Sequence, residues 1–397
     1  MAALLTFEEA LREILARVRP LPAETVRLAA AAGRVVAEDA TAAVDLPPFP
    51  SSAMDGFAVR ADDTPGRLPV VDRIAAGRPA TRSLAAGQAM AIATGGVVPE
   101  GADAVVPIER VVEDDDAIEI AARLEPGEHV RHRGGDLAAG DLVVRAGTLV
   151  RPAELGALAA AGVDAVSCAR RPSAAVVSTG TELRLPGESL EPGQIFEANG
   201  VMLAAALTSA GAVVAALESV PDDEAAHRAA LERGLGADVL VTSGGVSVGP
   251  HDLVRTIEAE LGVEEVFWKV AVKPGKPVSF GVRDGTLVFG LPGNPVSSLV
   301  CFELFVRPAL RALQGAREPG PAFAPGELAT SVRRNPERDE FLRARLQVDG
   351  DRILLQPLTG QESHMIARAA AADALVLAPR GEGELAAGTA VSYLPLR

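Results

Sequence analysis

Three rhythms of hydrophobic and polar positions succeed one another along the chain. The first is helical: Thr6-Phe-Glu-Glu9 has the spacing of a capping box, and Leu11, Ile14, Leu15 and Val18 continue one apolar face to Pro20. Residues 25–46 then read as a short strand, an alanine turn and an extended run ending at Leu46-Pro-Pro. From there to about residue 136 come short β runs broken by Gly and Pro, at 57–59, 70–75, 90–93, 104–108 and 117–120, which predict a small all-β domain. Residues 141–168 give a strand, a helix over 152–161 ended by Gly162, and a strand reaching Cys168. This segment is expected to pack back on the N-terminal helix, making the β domain an insertion.

From residue 172 strands and helices alternate. Strands are expected over 174–178, 212–220, 238–242 and 266–270, and helices over 199–211, 222–235 (capped by Asp222), 252–261 and 295–313. Runs at 278–280 and 286–289 flank the turn Arg283-Asp-Gly285. Such alternation builds a three-layer α/β domain with a mostly parallel sheet, and ligands bind such sheets at the carboxyl ends of the strands. Pro319-Gly-Pro-Ala-Phe-Ala-Pro325 is a linker by composition, and the remainder reads as a small β barrel or sandwich, the barrel being expected. The domains are therefore set at 1–45 plus 137–170, 46–136, 171–318 and 319–397.

Composition narrows the function. A chain of 397 residues with 48% hydrophobic and 23% charged residues is expected to fold as two to four soluble domains. A net charge of −15 argues against a nucleic-acid or anionic-membrane surface, so an anion site must be built locally. The N-terminus has no basic stretch of the kind that opens a signal peptide, and the alanine-rich runs are too short to span a bilayer. Cys168 and Cys301 form neither a metal pair nor a disulfide framework, and the cytoplasm is the expected compartment. One detail is sharper: the only lysines, Lys269, Lys273 and Lys276, fall within eight residues. Compact ammonium groups do what guanidinium cannot at some sites, which marks this window as an anion contact.

The strong motifs of the α/β region all follow strands. They are Ser178-Thr-Gly-Thr-Glu182, Ser243-Gly-Gly-Val-Ser-Val-Gly249, Lys273-Pro-Gly-Lys-Pro277 and Leu291-Pro-Gly-Asn-Pro-Val-Ser-Ser298. Glycine lets backbone N–H groups approach a ligand and helix N-termini add positive potential, so four such loops at one sheet edge describe an oxyanion pocket. Neither a Walker loop nor a dinucleotide fingerprint is present. Glu182, Asp222 and Asp252 lie in or beside these loops; they read either as helix caps or as ligands of a hard divalent cation shared with phosphate. Outside the domain, Asp55, the loop Ala93-Thr-Gly-Gly96 and Arg131-His-Arg-Gly-Gly-Asp136 have the same purposeful look. His132, His251 and His364 lack zinc-ligand spacing, and no Ser-His-Asp or Cys-His arrangement stands out.

These segments resemble the molybdopterin molybdenumtransferase family, which includes the C-terminal region of the animal protein gephyrin. The resemblance spans essentially the whole chain. It is carried by Pro-Pro-Phe…Ser-Ala-Met-Asp-Gly (47–56), Ala-Thr-Gly-Gly…Gly-Ala-Asp-Ala-Val-Val-Pro (93–107), Ser-Gly-Gly-Val-Ser-Val-Gly (243–249), Trp-Lys…Lys-Pro-Gly-Lys-Pro (268–277) and Leu-Pro-Gly-Asn-Pro-Val-Ser (291–297).

It implies a four-part subunit with an α/β domain of the molybdenum-cofactor-binding type, and an elongated homodimer with the active site in a cleft shared between subunits. The implied activity is insertion of molybdate into adenylylated molybdopterin with Mg2+-dependent release of AMP. The adenylyltransferase and molybdoenzyme acceptors are the implied protein partners. By motif, Asp55, Asp136, Glu182, Asp222 and Asp252 become the acids around metal and molybdate, with Glu182, Asp222 and Asp252 as magnesium ligands. Lys269 and Lys273 become the anion contacts. Substrate binding falls to Ser243, Gly244, Gly245, Ser247, Lys276, Pro292, Asn294 and Pro295, with Thr94 from the β domain. Arg343 and Ser363 join them from the C-terminal domain on the shorter matches 341–343 and 361–364.

The chain departs from the family pattern at several places. Pro50-Ser51 stands for the usual Asp-Asn, Thr181 for Asp, Gly135 for Glu, and Glu197-Ala-Asn199 for Asp-Ser-Asn. These changes bear on preference between molybdate and tungstate. Two other readings are weaker. The related adenylyltransferase activity does not need the flanking domains, and a gephyrin-like scaffold does not need the acidic loops and lysines.

Overall fold

The computed structural model describes residues 4–245 and 253–396; Ser247, His251 and Asp252 lie outside the described residues. Helix α1 (Phe7–Arg17) opens with the expected capping box: Glu9 N–H donates to Thr6 Oγ1 at 3.2 Å, and Thr6 N–H donates to the Glu9 carboxylate at 2.8 Å. Its buried face does not meet residues 141–168. Phe7, Ala10, Ile14 and Val18 belong to the core of the α/β domain, the Phe7 ring lying 5.8 Å from Phe305 and 5.6 Å from Phe341. Periodicity shows that a face must be buried, not against what, and the aromatic partners of Phe7 lie far along the chain. Strand β1 (Ala23–Arg27) instead pairs antiparallel with β2 (Ala165–Ala169), and α2 (Pro152–Ala160) closes a separate core of Val26, Val36, Leu158 and Cys168.

Between these lies a six-stranded sheet of Gly56–Val59, Gly66–Ile74, Ala89–Ile92, Ala104–Pro107, Val111–Asp114 and Ala117–Ile120. Alternating residues bury apolar groups on both faces, Phe57 and Val59 on one and Ala58 and Met90 on the other.

The α/β sheet begins with β3 (Ser173–Thr179), α3 (Asn199–Ser209), β4 (Val213–Val220), α4 (Glu224–Gly234) and β5 (Val239–Ser243). It continues with α5 (Leu253–Glu260), β6 (Glu264–Trp268), the two-residue β7 (Val272–Lys273), β8 (Ser279–Arg283) and β9 (Thr286–Leu291). The sheet order is β4-β3-β5-β9-β8-β6; the first four strands are parallel, and β8 runs antiparallel to both neighbours. The carboxyl end of β6 therefore lies at the same edge as those of the parallel four. Helices α6 (Pro295–Cys301) and α7 (Arg307–Leu313) are joined through a π turn over Phe302–Val306, just ahead of Pro308, which has no N–H to give. At the amino ends of β3 and β5 a polar clamp closes the sheet. Asp238 accepts from Arg170 Nη1 and Nη2 at 2.7 and 2.6 Å, and from Ser173 N–H and Oγ at 2.7 and 2.6 Å.

The C-terminal strands β10 (Ala324–Leu328), β11 (Asp339–Asp349), β12 (Arg352–Pro357), β13 (Ala374–Ala378) and β14 (Ala390–Pro395) pair in the ring β11-β12-β10-β14-β13-β11, a closed five-stranded barrel. Closure leaves no free edge among these five, except where β7 adds alongside β11 with Lys273 opposite Glu340. No helix among the described residues is long and apolar enough to cross a membrane.

Candidate active site

Strand register builds the site. Thr179 of β3 stands opposite Val220 of β4, Ser178 opposite Ser243 of β5, and Ser243 opposite Leu291 of β9. Four strands thus end level, and the loops that follow them converge on a cleft of about 530 Å³. Glu182, Asp222, Ser243, Gly244, Gly245, Asn294 and Pro295 line it. The exposed side chains of Ile195 and Phe196 give it an apolar wall.

Asp222 was expected to cap the helix after β4, but that cap is its neighbour: Asp223 accepts from Ala226 N–H at 2.8 Å. Asp222 turns to the cleft, where its Oδ2 accepts from Thr181 N–H and Oγ1, both at 3.2 Å. Thr181 thus bonds the neighbouring acid at a position where the family usually has another acid.

Two organisers of the cleft stand outside the expected site residues, although their run already stands out as a departure from the family pattern. Asn199 donates through Nδ2 to Ser243 Oγ at 2.8 Å and to the Gly293 carbonyl at 2.7 Å, tying together the loops after β5 and β9. Glu197 is buried and accepts from Ser178 Oγ at 3.0 Å and Gly200 N–H at 2.6 Å, so it caps α3 from inside the cleft. Their signal was the Glu-Ala-Asn run just after an exposed apolar pair. The glycine of Ser-Gly-Gly is equally constrained: Gly244 has φ +96°, and a Cβ there would sit 2.8 Å from the Thr179 carbonyl oxygen.

The lysines do not form walls of this cleft. Lys273 Nζ lies 3.0 Å from Glu340 Oε1, an ion pair that brings the barrel up to the lysine loop. Gly275 packs that loop onto α6; its φ is +114°, and a Cβ would meet Cys301 Sγ at 2.4 Å. Lys269 follows β6, with its ammonium over the Trp268 ring at 3.5 Å from the centroid, and Lys276 is half-buried nearby in sequence.

From the β domain, Asp55 accepts through Oδ1 from Thr94 N–H at 2.8 Å; both are exposed, as is Asp136, and none of the three lines the cleft within one chain. Arg133 pairs with Asp45 at 2.5 Å. Pro292 is buried, its carbonyl accepting from Ser298 Oγ. The Ser363 carbonyl accepts from Val296 N–H at 3.1 Å, so the barrel touches the start of α6.

Arg343 has a different place from the one the resemblance implies. It is 2% exposed and donates to the Gly360, Glu362 and Met365 carbonyls at 2.9–3.3 Å and to Gln361 Oε1 at 3.2 Å. Burial pulls its pKa below the ordinary arginine value, with the Glu362 charge opposing. Its guanidinium braces the loop that carries Ser363 rather than facing an anion. Replacement by Met, leaving those carbonyls without a donor, is expected to cost about 2–4 kcal/mol of folding stability. Urea unfolding of Arg343→Met at neutral pH checks this.

Parallel strands ending in glycine- and acid-bearing loops, set between a β domain and a barrel, define the class of protein. Residues 175–312 match the family described as a probable molybdopterin binding domain, residues 5–162 the MoeA N-terminal region (domain I and II), and residues 325–396 the MoeA C-terminal region (domain IV). Over 392 residues the chain is 40% identical to molybdopterin molybdenumtransferase 2 of Mycobacterium tuberculosis, covering 95% of each. It is 34% identical over 402 residues to the molybdopterin molybdenumtransferase of Haemophilus influenzae, covering 99% of this chain and 98% of the relative. It is also similar to the crystal structure of the molybdopterin biosynthesis moeA protein from Pyrococcus horikoshii OT3, at TM-score 0.84 and 28% identity, with 99% and 100% covered. The chain belongs to the molybdopterin molybdenumtransferase family.

Proposed function

We propose that the protein inserts molybdate into adenylylated molybdopterin with Mg2+-dependent release of AMP, yielding molybdenum cofactor. The convergence of Glu182, Asp222, Ser243, Gly244 and Asn294 on one cleft carries this reading. Acids suit a metal, polar loops suit phosphate, and the Ile195–Phe196 wall suits a flat heterocycle.

Among the described residues no three His, Cys, Asp or Glu side chains gather into a cage. Two cleft-facing carboxylates fit Mg2+ nonetheless, because it takes one or two carboxylates and fills its remaining shell with phosphate and water. Glu182 and Asp222 would hold it, with Asp252 as the third acid the family pattern assigns, and the ion would offset charge on the phosphoanhydride. Thr181 engages only Oδ2 of Asp222, which leaves Oδ1 for a ligand. Asn199 holds the phosphate-side loops at fixed separation. Lys269, Lys273 and Lys276 offset negative charge on molybdate and on departing AMP. The phosphoanhydride is hydrolysed as molybdate takes the dithiolene, and no covalent protein intermediate is required.

The active form is a homodimer in the cytoplasm, Asp55, Thr94 and Asp136 completing the cleft of a partner subunit. Exposed Val213 and Leu217 on edge strand β4, with Val201 on the adjoining α3, make the kind of face such a contact covers. An adenylyltransferase supplies the substrate and molybdoenzymes accept the product. Reconstitution tests the reading: protein, adenylylated molybdopterin, Mg2+ and micromolar molybdate should activate a cofactor-free molybdoenzyme. Activation that is no greater with the protein than without it would contradict it.

A further inference from the structure

We propose that Trp268 is a positioning residue that holds the Lys269 ammonium, with its charge uncancelled, ready for an oxyanion of the substrate. This rests on the anion-binding role given to Lys269 above. Trp268 is the only tryptophan in the chain, and two cations lie against it. Lys269 Nζ is 3.5 Å from the ring centroid and Arg255 Cζ is 3.9 Å from it. Contact distance to carbon is itself about 3.5 Å, so both groups sit close to the ring normal. Both cations are therefore stacked on the indole.

The rest of the local structure fixes this stack. Arg255 is anchored by Glu265, whose Oε2 accepts from Nε at 2.8 Å and Nη2 at 2.6 Å. Lys269 has φ +74°, one of four non-glycine residues in the left-handed region among the described residues. Its backbone is held there by N–H donation to the Val278 carbonyl at 2.9 Å, with Val270 N–H bonding the Lys276 carbonyl at 3.0 Å. Such a conformer costs free energy and persists where its surroundings enforce it.

The contrast with Lys273 gives the stack its meaning. Lys273 is paired with a carboxylate that competes with any substrate anion for it; the face of an indole attracts an ammonium without supplying a counter-ion. Lys269 makes no ion pair among the described residues. It is thus pre-ordered and without a carboxylate partner among the described residues, so less ordering remains when an anion binds. Through Arg255 the same ring ties α5 to the lysine loop.

With only three lysines, the side-chain CεH2 signals of protein labelled with 13C-lysine form a small, assignable set. One signal is expected well upfield of the others, displaced by the indole ring current, and Lys269→Arg should remove it. It should return to the ordinary range in Trp268→Leu and stay partly displaced in Trp268→Phe. Three equivalent signals in the wild type, or an upfield signal that survives Trp268→Leu, would overturn the proposal. In the AMP-release assay, Trp268→Leu should raise KM for adenylylated molybdopterin about tenfold, in line with a partly desolvated cation–π contact, with little change in kcat. Trp268→Phe should restore most of that loss. A phenylalanine variant as impaired as the leucine variant, or a fall confined to kcat, would also overturn it. Should Trp268→Leu fold poorly, Trp268→Phe carries both arms, with an intermediate ring shift and a smaller KM change. The NMR arm needs no turnover, so a wild type that releases no AMP would count against the functional reading alone.

Discussion

Asp222→Ala is expected to slow molybdate-dependent AMP release about a hundredfold or more, the scale of losing a metal-side carboxylate in a preorganised site. Its neighbour supplies the control. Asp223 caps α4 and Asp222 does not, so Asp223→Ala should cost about 1 kcal/mol of stability and leave turnover nearly intact. Asp222→Ala should show the reverse, with an unchanged unfolding midpoint, because its hydrogen-bond partner among the described residues is Thr181 in an exposed loop. Steady-state assays and thermal unfolding of both variants check the pair. A subunit-exchange experiment extends it. Asp55→Ala and Asp222→Ala, each inactive alone, should recover part of the activity when mixed, since one rebuilt cleft per heterodimer would combine an intact α/β domain with an intact β domain.

A large loss of stability is expected at the other end of the sheet, at Asp238. Burial pushes its carboxyl up, but the hydrogen bonds from Arg170 and Ser173 outweigh that and hold its pKa at about 2, against an ordinary value of 3.8. A carboxyl whose folded pKa is depressed contributes stability that is fully present above its unfolded pKa and lost as pH falls through the folded one. The clamp should therefore act fully above about pH 4 and fade toward pH 2, a change of about 2 kcal/mol. Asp238→Ala also strands Arg170, and is expected to cost about 3 kcal/mol at neutral pH. Urea unfolding between pH 7 and pH 2.5 would check both statements: the wild type should converge on Asp238→Asn as the pH drops, where the variant lacks the titrating group.

Much of this architecture was legible in the sequence because it is locally encoded. Thr6 and Glu9 are three residues apart and bond each other; the glycine loops follow apolar runs whose length makes them strands; and the alternation of strands and helices forces a parallel sheet. What escaped is what depends on distant residues. The burial of α1 was readable, but its partners Phe305 and Phe341 lie hundreds of positions away. Asp222 and Asp223 are adjacent acids, and only the backbone path decides which one caps. Arg343 looks like an anion contact in its short motif, yet the folded loop 360–365 surrounds its guanidinium with carbonyl groups. Lys273 follows the fourth expected strand of the α/β pattern but is taken up by the barrel, where Glu340 meets it.

The central claim is metal insertion, and its most direct test follows AMP release by the purified protein given adenylylated molybdopterin and Mg2+. Release that begins on adding molybdate, accompanied by molybdenum bound to the pterin product in equal amount, is the expected result. Repeating it with tungstate reads the preference that Thr181 and Glu197 leave open. A folded protein that releases no AMP with either anion, or releases it at the same rate without them, would contradict the account.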